Sequence, residues 1–307
     1  MPELPEVETV ARGLQASVAG RRILSVVLRQ TDFMDDAALI ERELPGRRIE
    51  RIERYGKFML LRLDEAAPAA RNQNSLSAGC PSQALLVHLG MTGNLAPRVA
   101  AQPLEKHTHA SFLLDDGREL RYTDARRFGR MAYLSGPTLA AELERFGADP
   151  LEASREEFAA AIRGSKARIK ALLLDQAVLR GVGNIYADES LWRARIHPTT
   201  PGRRLTPQQT ERLRTALKAI LLRAIALRGS TISDFVDSDG QSGDYQQHHQ
   251  AYGHEGRKCY RCGARIRRML VAGRSSHFCP ACQPAPPGGR RAKKKTKRSR
   301  PTKASKR

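Results

Sequence analysis

The period at which apolar residues recur changes once along this 307-residue chain, and the change divides it into a strand-forming part and a helix-forming part. Short β-rich runs occupy residues 21–29, 47–54, 57–64, 84–89, 110–115, 118–123 and 130–134, with turn residues between them. Asp116-Gly117 supplies one hairpin turn. Several short strands of this kind predict a β-sandwich. A helix precedes them over residues 5–18, where Pro5 suits the first turn and Val7, Val10, Leu14 and Val18 form one stripe. Gly136-Pro137 and Asp149-Pro150 then break the pattern, and residues 136–152 read as a linker. Beyond it the spacing is helical. Ser154 to Glu157 is a capping box ahead of Phe158 and Ile162, with Gly164 as a stop. Ile169, Leu172 and Leu173 mark a second helix, and Thr206 caps a long one carrying Leu213, Leu217, Ile220, Leu221 and Leu227.

The expected fold is therefore α+β. An N-terminal β-sandwich domain with flanking helices spans 2–135, a helical domain 153–250, a small metal module 251–283, and a disordered basic tail 284–307. The polar, small-residue stretch 66–83 reads as a mobile surface insertion.

Cys259-x2-Cys262 and Cys279-x2-Cys282, sixteen residues apart, have the spacing of a four-thiolate zinc site, with two structural disulfides as the alternative. Cys80 stands alone and has no assigned role. The zinc would be structural, because four thiolates leave no open position. Lys+Arg outnumber Asp+Glu by 53 to 32, giving a net charge of +21. Eleven of those cations fall in residues 290–307, so both body and tail are basic and a polyanionic partner is expected. No apolar run approaches the roughly 18 residues of a membrane span, and no apolar leader segment is present, so an intracellular, membrane-free protein is expected.

The opening Met-Pro-Glu-Leu-Pro-Glu-Val-Glu suits a helix lead-in, but it also permits chemistry. Removal of Met1 leaves Pro2 as a free secondary amine. An α-amino group has a pKa near about 8, so a useful neutral fraction exists at neutral pH. A neutral amine attacks a sugar C1′ and forms a Schiff base. Glu3 adjoins it and exchanges protons with the opening sugar.

The octapeptide closely resembles the N-terminus of the formamidopyrimidine-DNA glycosylases, bacterial enzymes for 8-oxoguanine and ring-opened purines. The resemblance recurs at His88-Leu89-Gly90-Met91-Thr92-Gly93, Tyr122-Thr123-Asp124-Ala125-Arg126-Arg127-Phe128-Gly129, Gly181-Val182-Gly183-Asn184-Ile185-Tyr186-Ala187 and the four cysteines. It covers residues 2–283 in family order. It implies a helix-two-turn-helix in the helical domain and a β-hairpin zinc finger with one structural zinc held by Cys259, Cys262, Cys279 and Cys282. It also implies a bifunctional glycosylase and abasic-site lyase, a monomer, acting on duplex DNA that contains oxidised purines or abasic sites in the bacterial cytoplasm, at the nucleoid.

Carried over residue by residue, the resemblance makes Pro2 the nucleophile and Glu3 the general acid/base, with Lys57 and Arg274 completing the catalytic set by gripping phosphates. His88 and Asn184 match further phosphate contacts. Met91, Arg126 and Phe128 match the side chains that fill the gap left by a flipped nucleotide; apolar wedges and an arginine there offset unstacking. By their residue types alone, Lys57 is an ordinary strand lysine, His88 a core histidine, and the glycine-rich stretch a helix connector. The sequence departs from the family in three places. Gly243-Asp244-Tyr245 stands where the loop covering the flipped base usually has Gly-Tyr-Phe, which puts the base-capping contacts in doubt; Lys258 and Ala125 each replace a proline. Two other readings remain: an endonuclease VIII-like glycosylase for oxidised pyrimidines, which Leu4 argues against because that branch carries glycine there, and a non-catalytic architectural DNA binder.

Overall fold

The computed structural model describes residues 1–64, 83–231 and 240–287. The first helix, α1 (Leu4–Val18), begins with a capping box in which Glu6 reaches back to the Glu3 N–H. Val7, Val10, Leu14 and Val18 are all buried, as their spacing predicts. They pack into a sandwich of two antiparallel four-stranded sheets. One sheet has the order β1 (Ile23–Leu28), β6 (Thr108–Leu114), β7 (Arg118–Asp124), β5 (Gly93–Val99). The other runs β2 (Ile49–Tyr55), β3 (Phe58–Leu63), β4 (Gln83–His88), β8 (Arg130–Ser135). Phe112 and Tyr122 from the first and Leu61, Val87 and Met131 from the second fill the space between.

Three elements differ from the sequence reading. β5 has no counterpart among the expected strands because Pro97 interrupts it, and a proline is tolerated there because β5 is an edge strand. A short helix, α2 (Ala37–Glu43), buries only Ile40 and so shows little periodicity; the Asp36 carboxylate caps it by accepting from the Leu39 N–H at 2.9 Å. Gly136-Pro137, read as a break opening the linker, instead starts α3 (Gly136–Glu144), since proline fits a first helical turn.

The second core is helical. The side chains of Ser154 and Glu157 cap α4 (Arg155–Arg163) reciprocally, at 3.1 and 2.8 Å. α5 (Ile169–Leu174) and α6 (Asn184–Ala194) follow, joined by two tight turns, and Thr206 caps α7 (Pro207–Ala226). Leu227 lies one residue past that helix. α6 is buried on nearly every side, packing on α7 and on the closing hairpin β9 (Arg267–Val271) and β10 (Arg274–Phe278).

Of the stretch 66–83, only Gln83 is described, and it opens β4; the rest of the expected insertion lies outside the described residues. Of the expected tail, residues 284–287 are described, and the Arg204 guanidinium donates to the Pro287 carbonyl at 2.6 Å. Residues 288–307 lie outside the described residues.

Candidate active site and nucleic-acid interface

The N-terminal segment crosses from the sandwich into the helical domain. The Leu4 N–H donates to the Gly181 carbonyl at 3.0 Å, and the Glu3 carboxylate sits on the N-terminus of α6, accepting from Ile185 N at 3.1 Å and Tyr186 N at 3.5 Å. This approach needs glycine on the other side. A Cβ at Gly183 would lie 2.1 Å from Glu3 Cδ, and one at Gly181, where φ is +92°, would lie 2.9 Å from the Leu4 side chain. The glycines of the Gly-Val-Gly-Asn stretch thus make room for the first residues of the chain.

Lys57 occupies the two-residue turn between β2 and β3, where Gly56 has φ +63° and Tyr55 pairs with Phe58. It is 8% exposed. Burial pushes the Lys57 ammonium below the usual lysine range, while the Glu3 charge holds it up and Arg274 pushes it further down. Burial likewise raises the Glu3 carboxyl, opposed by Lys57, by the two α6 N–H groups and by the amino terminus. The N-terminal segment, Glu3, Lys57 and Arg274 therefore share one electrostatic neighbourhood built from all three parts of the chain. Pro2 is buried there, beneath a half-exposed Met1.

At one edge of the sandwich, the loop after β4 and the loop after β7 meet backbone to backbone: a Cβ at Gly90 would lie 2.4 Å from Phe128 C. Met91 and Phe128 are 39% and 56% exposed, large apolar side chains facing solvent, and the Arg126 guanidinium lies 4.6 Å from the Phe128 ring centroid. Asp124, fully buried, fixes the second loop by accepting from the Gly129 N–H at 3.0 Å, the Arg126 N–H at 3.2 Å and the Tyr122 O–H at 3.2 Å. Beside them, His88 Nδ1 accepts from the Gly90 N–H at 3.0 Å. Burial, then Lys57 and Arg130, lowers the His88 pKa to about 4, so the ring is neutral and Nε2 carries its proton. Asn184 opens α6 half-buried, its side-chain oxygen without a hydrogen-bond partner among the described residues.

The four cysteines fit one structural zinc. Their Sγ atoms all lie within 4.8 Å of one another, near the roughly 3.8 Å separation set by four bonds of about 2.3 Å in a tetrahedron. Trp192 Nε1 points at Cys259 Sγ from 3.4 Å, a donor suited to a thiolate. The hairpin turns at Ala272-Gly273, both at positive φ, and places Arg274 at its exposed end. A buried strut holds that end: Lys170 Nζ donates to Asp188 Oδ1 and to the Ser275 carbonyl, each at 2.6 Å, and the His277 N–H donates to Asp188 Oδ2 at 2.8 Å.

Several buried polar residues around the site are not among those the sequence singles out. Glu6 was read only as part of the opening helix, yet it accepts from Tyr186 and Ser230 of the helical domain. Lys170 and Asp188 interrupt the apolar runs of α5 and α6, which was the available signal. Of the departure at Gly243-Asp244-Tyr245, Asp244 is exposed, within 4.0 Å of the Arg228 guanidinium, and Tyr245 is buried 5.7 Å from the Tyr186 ring.

An N-terminal β-sandwich whose first residues reach a helix-two-turn-helix, closed by a four-cysteine hairpin, is the architecture of a base-excision DNA glycosylase. Residues 1–131 match the profile of the formamidopyrimidine-DNA glycosylase N-terminal domain, 146–236 that of the formamidopyrimidine-DNA glycosylase H2TH domain, and 256–285 that of the zinc finger found in FPG and IleRS. The chain belongs to the formamidopyrimidine-DNA glycosylase family. The formamidopyrimidine-DNA glycosylase of Solibacter usitatus is 42% identical over 285 residues, covering 92% of this chain and 99% of the relative. That of Herpetosiphon aurantiacus is 39% identical over 288 residues, covering 92% and 100%. Among solved structures, the MutM (Fpg) protein of Thermus thermophilus superposes with a TM-score of 0.77 at 40% identity, covering 93% of this chain and all of that one. Lactococcus lactis Fpg in complex with DNA containing an abasic site superposes with a TM-score of 0.80 at 33% identity, over 92% and 100%. Among the described residues no helix is long and apolar enough to cross a membrane.

Proposed function

We propose that the chain removes oxidised purines, 8-oxoguanine and formamidopyrimidines, from duplex DNA and then cuts the strand at the emptied sugar. The observation that carries this reading is the Glu3 carboxyl, buried on the N-terminus of α6 between the amino-terminal segment and Lys57. With Met1 removed, the neutral Pro2 amine attacks C1′ and the base departs with the glycosidic electron pair and a proton. Glu3, whose carboxyl burial raises above the usual carboxylate range, is the adjoining proton carrier. The Pro2 nitrogen lone pair then breaks the C1′–O4′ bond, O4′ takes a proton from Glu3, and an iminium remains at C1′; it acidifies C2′, where loss of a proton expels the 3′ phosphate, and a second elimination expels the 5′ phosphate. Water then frees Pro2.

Lys57 and Arg274 hold the phosphates flanking the lesion, with His88 donating through Nε2 and Asn184 from the α6 terminus. Met91, Phe128 and Arg126 occupy the gap in the stack. A zinc ion bound by the four thiolates stiffens the hairpin bearing Arg274. The substrate is duplex DNA with oxidised purines or abasic sites, met by a monomer at the bacterial nucleoid.

A Lactococcus lactis relative in complex with DNA containing an oxidised pyrimidine makes pyrimidine lesions the second reading. Single-turnover excision from duplexes carrying 8-oxoguanine, a formamidopyrimidine or an oxidised pyrimidine separates the two. The purine lesions are expected to be released fastest; the opposite order overturns the purine assignment.

A further inference from the structure

Behind Glu3 lies a second buried carboxylate, Glu6, from which a line of hydrogen bonds leads to His249. Glu6 Oε2 accepts from the Glu3 N–H at 2.8 Å, and Oε1 accepts from the Tyr186 O–H at 2.6 Å and the Ser230 N–H at 2.7 Å. The Ser230 hydroxyl lies 3.5 Å from that of Tyr186 and 3.1 Å from His249 Nε2. Glu6, Tyr186, Ser230 and His249 are all buried, so water does not replace a lost partner. Gly229, at φ +79°, gives the carboxylate its space, since a Cβ there would lie 2.6 Å from Oε1.

The ionised form of Glu6 is the one this arrangement fits. Both lone pairs of Oε1 are engaged, so a proton on Oε1 displaces Tyr186 or Ser230. A proton on Oε2 weakens acceptance from the Glu3 N–H, the bond that fixes the turn carrying Pro2 and Glu3.

We propose that His249 is a positioning residue for base excision: donating through Nε2 to the Ser230 hydroxyl, it turns that hydroxyl toward Tyr186 and keeps Glu6 supplied with the donors that hold Pro2 and Glu3 in place. The proposal rests on reading Pro2 and Glu3 as the reacting pair. The surrounding charges agree with it. Burial and then the Glu3 charge raise Glu6 to about 7, while Tyr186, Ser230 and the Glu3 N–H pull it back. Burial, then His254 and His248, lowers His249 to about 4, leaving a neutral ring with one N–H to give. Among the described residues, the other titratable groups facing this line are Lys57, which feels Glu6, and the phenols of Tyr245 and Tyr252, whose rings pack edge-on against the imidazole at 5.7 and 5.6 Å. Burial raises both phenols, so they stay neutral alongside it.

Because Glu6 ionises as pH rises through about 7, its ionisation contributes to the acid side of the excision profile, alongside deprotonation of the Pro2 amine. Weakening the donors of Glu6 raises its pKa and moves that limb to higher pH. Single-turnover excision of 8-oxoguanine across the pH range is the test, with lesion-duplex affinity measured alongside. His249→Leu is expected to move the acid-side midpoint up by about half a unit, the effect of one modest hydrogen bond. Ser230→Ala should move it the same way, and His249→Gln, whose amide donates from nearly the same place, should restore it. Profiles that superimpose for the parent chain and His249→Leu overturn the proposal. So does an equal fall in rate at every pH in both His249 variants, which marks packing alone. A parent chain that excises nothing at any pH overturns the glycosylase reading, and the relay with it.

Discussion

Glu3 is held by opposing effects of similar kind: burial favours its neutral form, while Lys57 and the N-terminus of α6 favour its charge. Burial is the larger effect, so the carboxyl holds its proton more tightly than an exposed glutamate does. Glu3→Gln keeps the size and an oxygen for the Ile185 N–H but moves no proton. Base excision by this variant should fall by about 10²–10⁴-fold in single-turnover assays, while its affinity for lesion duplex stays at the parent level. A parent-like rate would remove Glu3 from the chemistry. Glu3 stands out in the sequence as a candidate because an amine and an acid adjoin behind a removable methionine. Glu6 was not legible in the same stretch. Its partners Tyr186 and Ser230 lie 180 and 224 residues away, so only the fold reveals that this first-turn acid belongs to the site.

The hairpin of β9 and β10 carries Arg274, and two supports fix it: the four cysteines and the Lys170–Asp188 strut. Elemental analysis should find about one zinc per chain. Cys259→Ser should lower lesion-duplex affinity by about tenfold or more, the worth of one charge-assisted phosphate contact, as Arg274 loses its position while the helical core stays folded. Unchanged affinity in zinc-free protein would contradict that coupling. The cysteine spacing made the metal half of this element legible. The strut was hidden because a lysine and an aspartate inside helices read as solvated faces until burial shows otherwise. The same limit applies to β5, whose Pro97 masks an edge strand, and to α3, whose Pro137 looks like a stop and acts as a start. The elements closest to ideal patterns, α1, α4 and α7, matched the sequence reading nearly residue for residue.

At the scale of the whole molecule, the site exists only where the parts meet. The sandwich supplies Lys57 and the loops of Met91 and Phe128, the helical domain supplies the α6 terminus, and the hairpin supplies Arg274. Buried charges lock the seam: Arg54 lies 2.8 Å from Asp149, and the Arg180 guanidinium covers the Tyr55 ring at 4.4 Å. The order of the parts and the basic excess were legible in the sequence. The seam was not, because it joins residues far apart in the chain through burial rather than through any local pattern. What the assembly accomplishes, on this reading, is to present one amine to one sugar carbon. Borohydride reduction during the reaction with 8-oxoguanine duplex, followed by digestion and peptide mapping, tests that claim most directly. The expected result is a protein–DNA adduct on the nitrogen of Pro2, in a peptide lacking Met1. An adduct on Lys57, or no adduct from a preparation that releases the base, would contradict it.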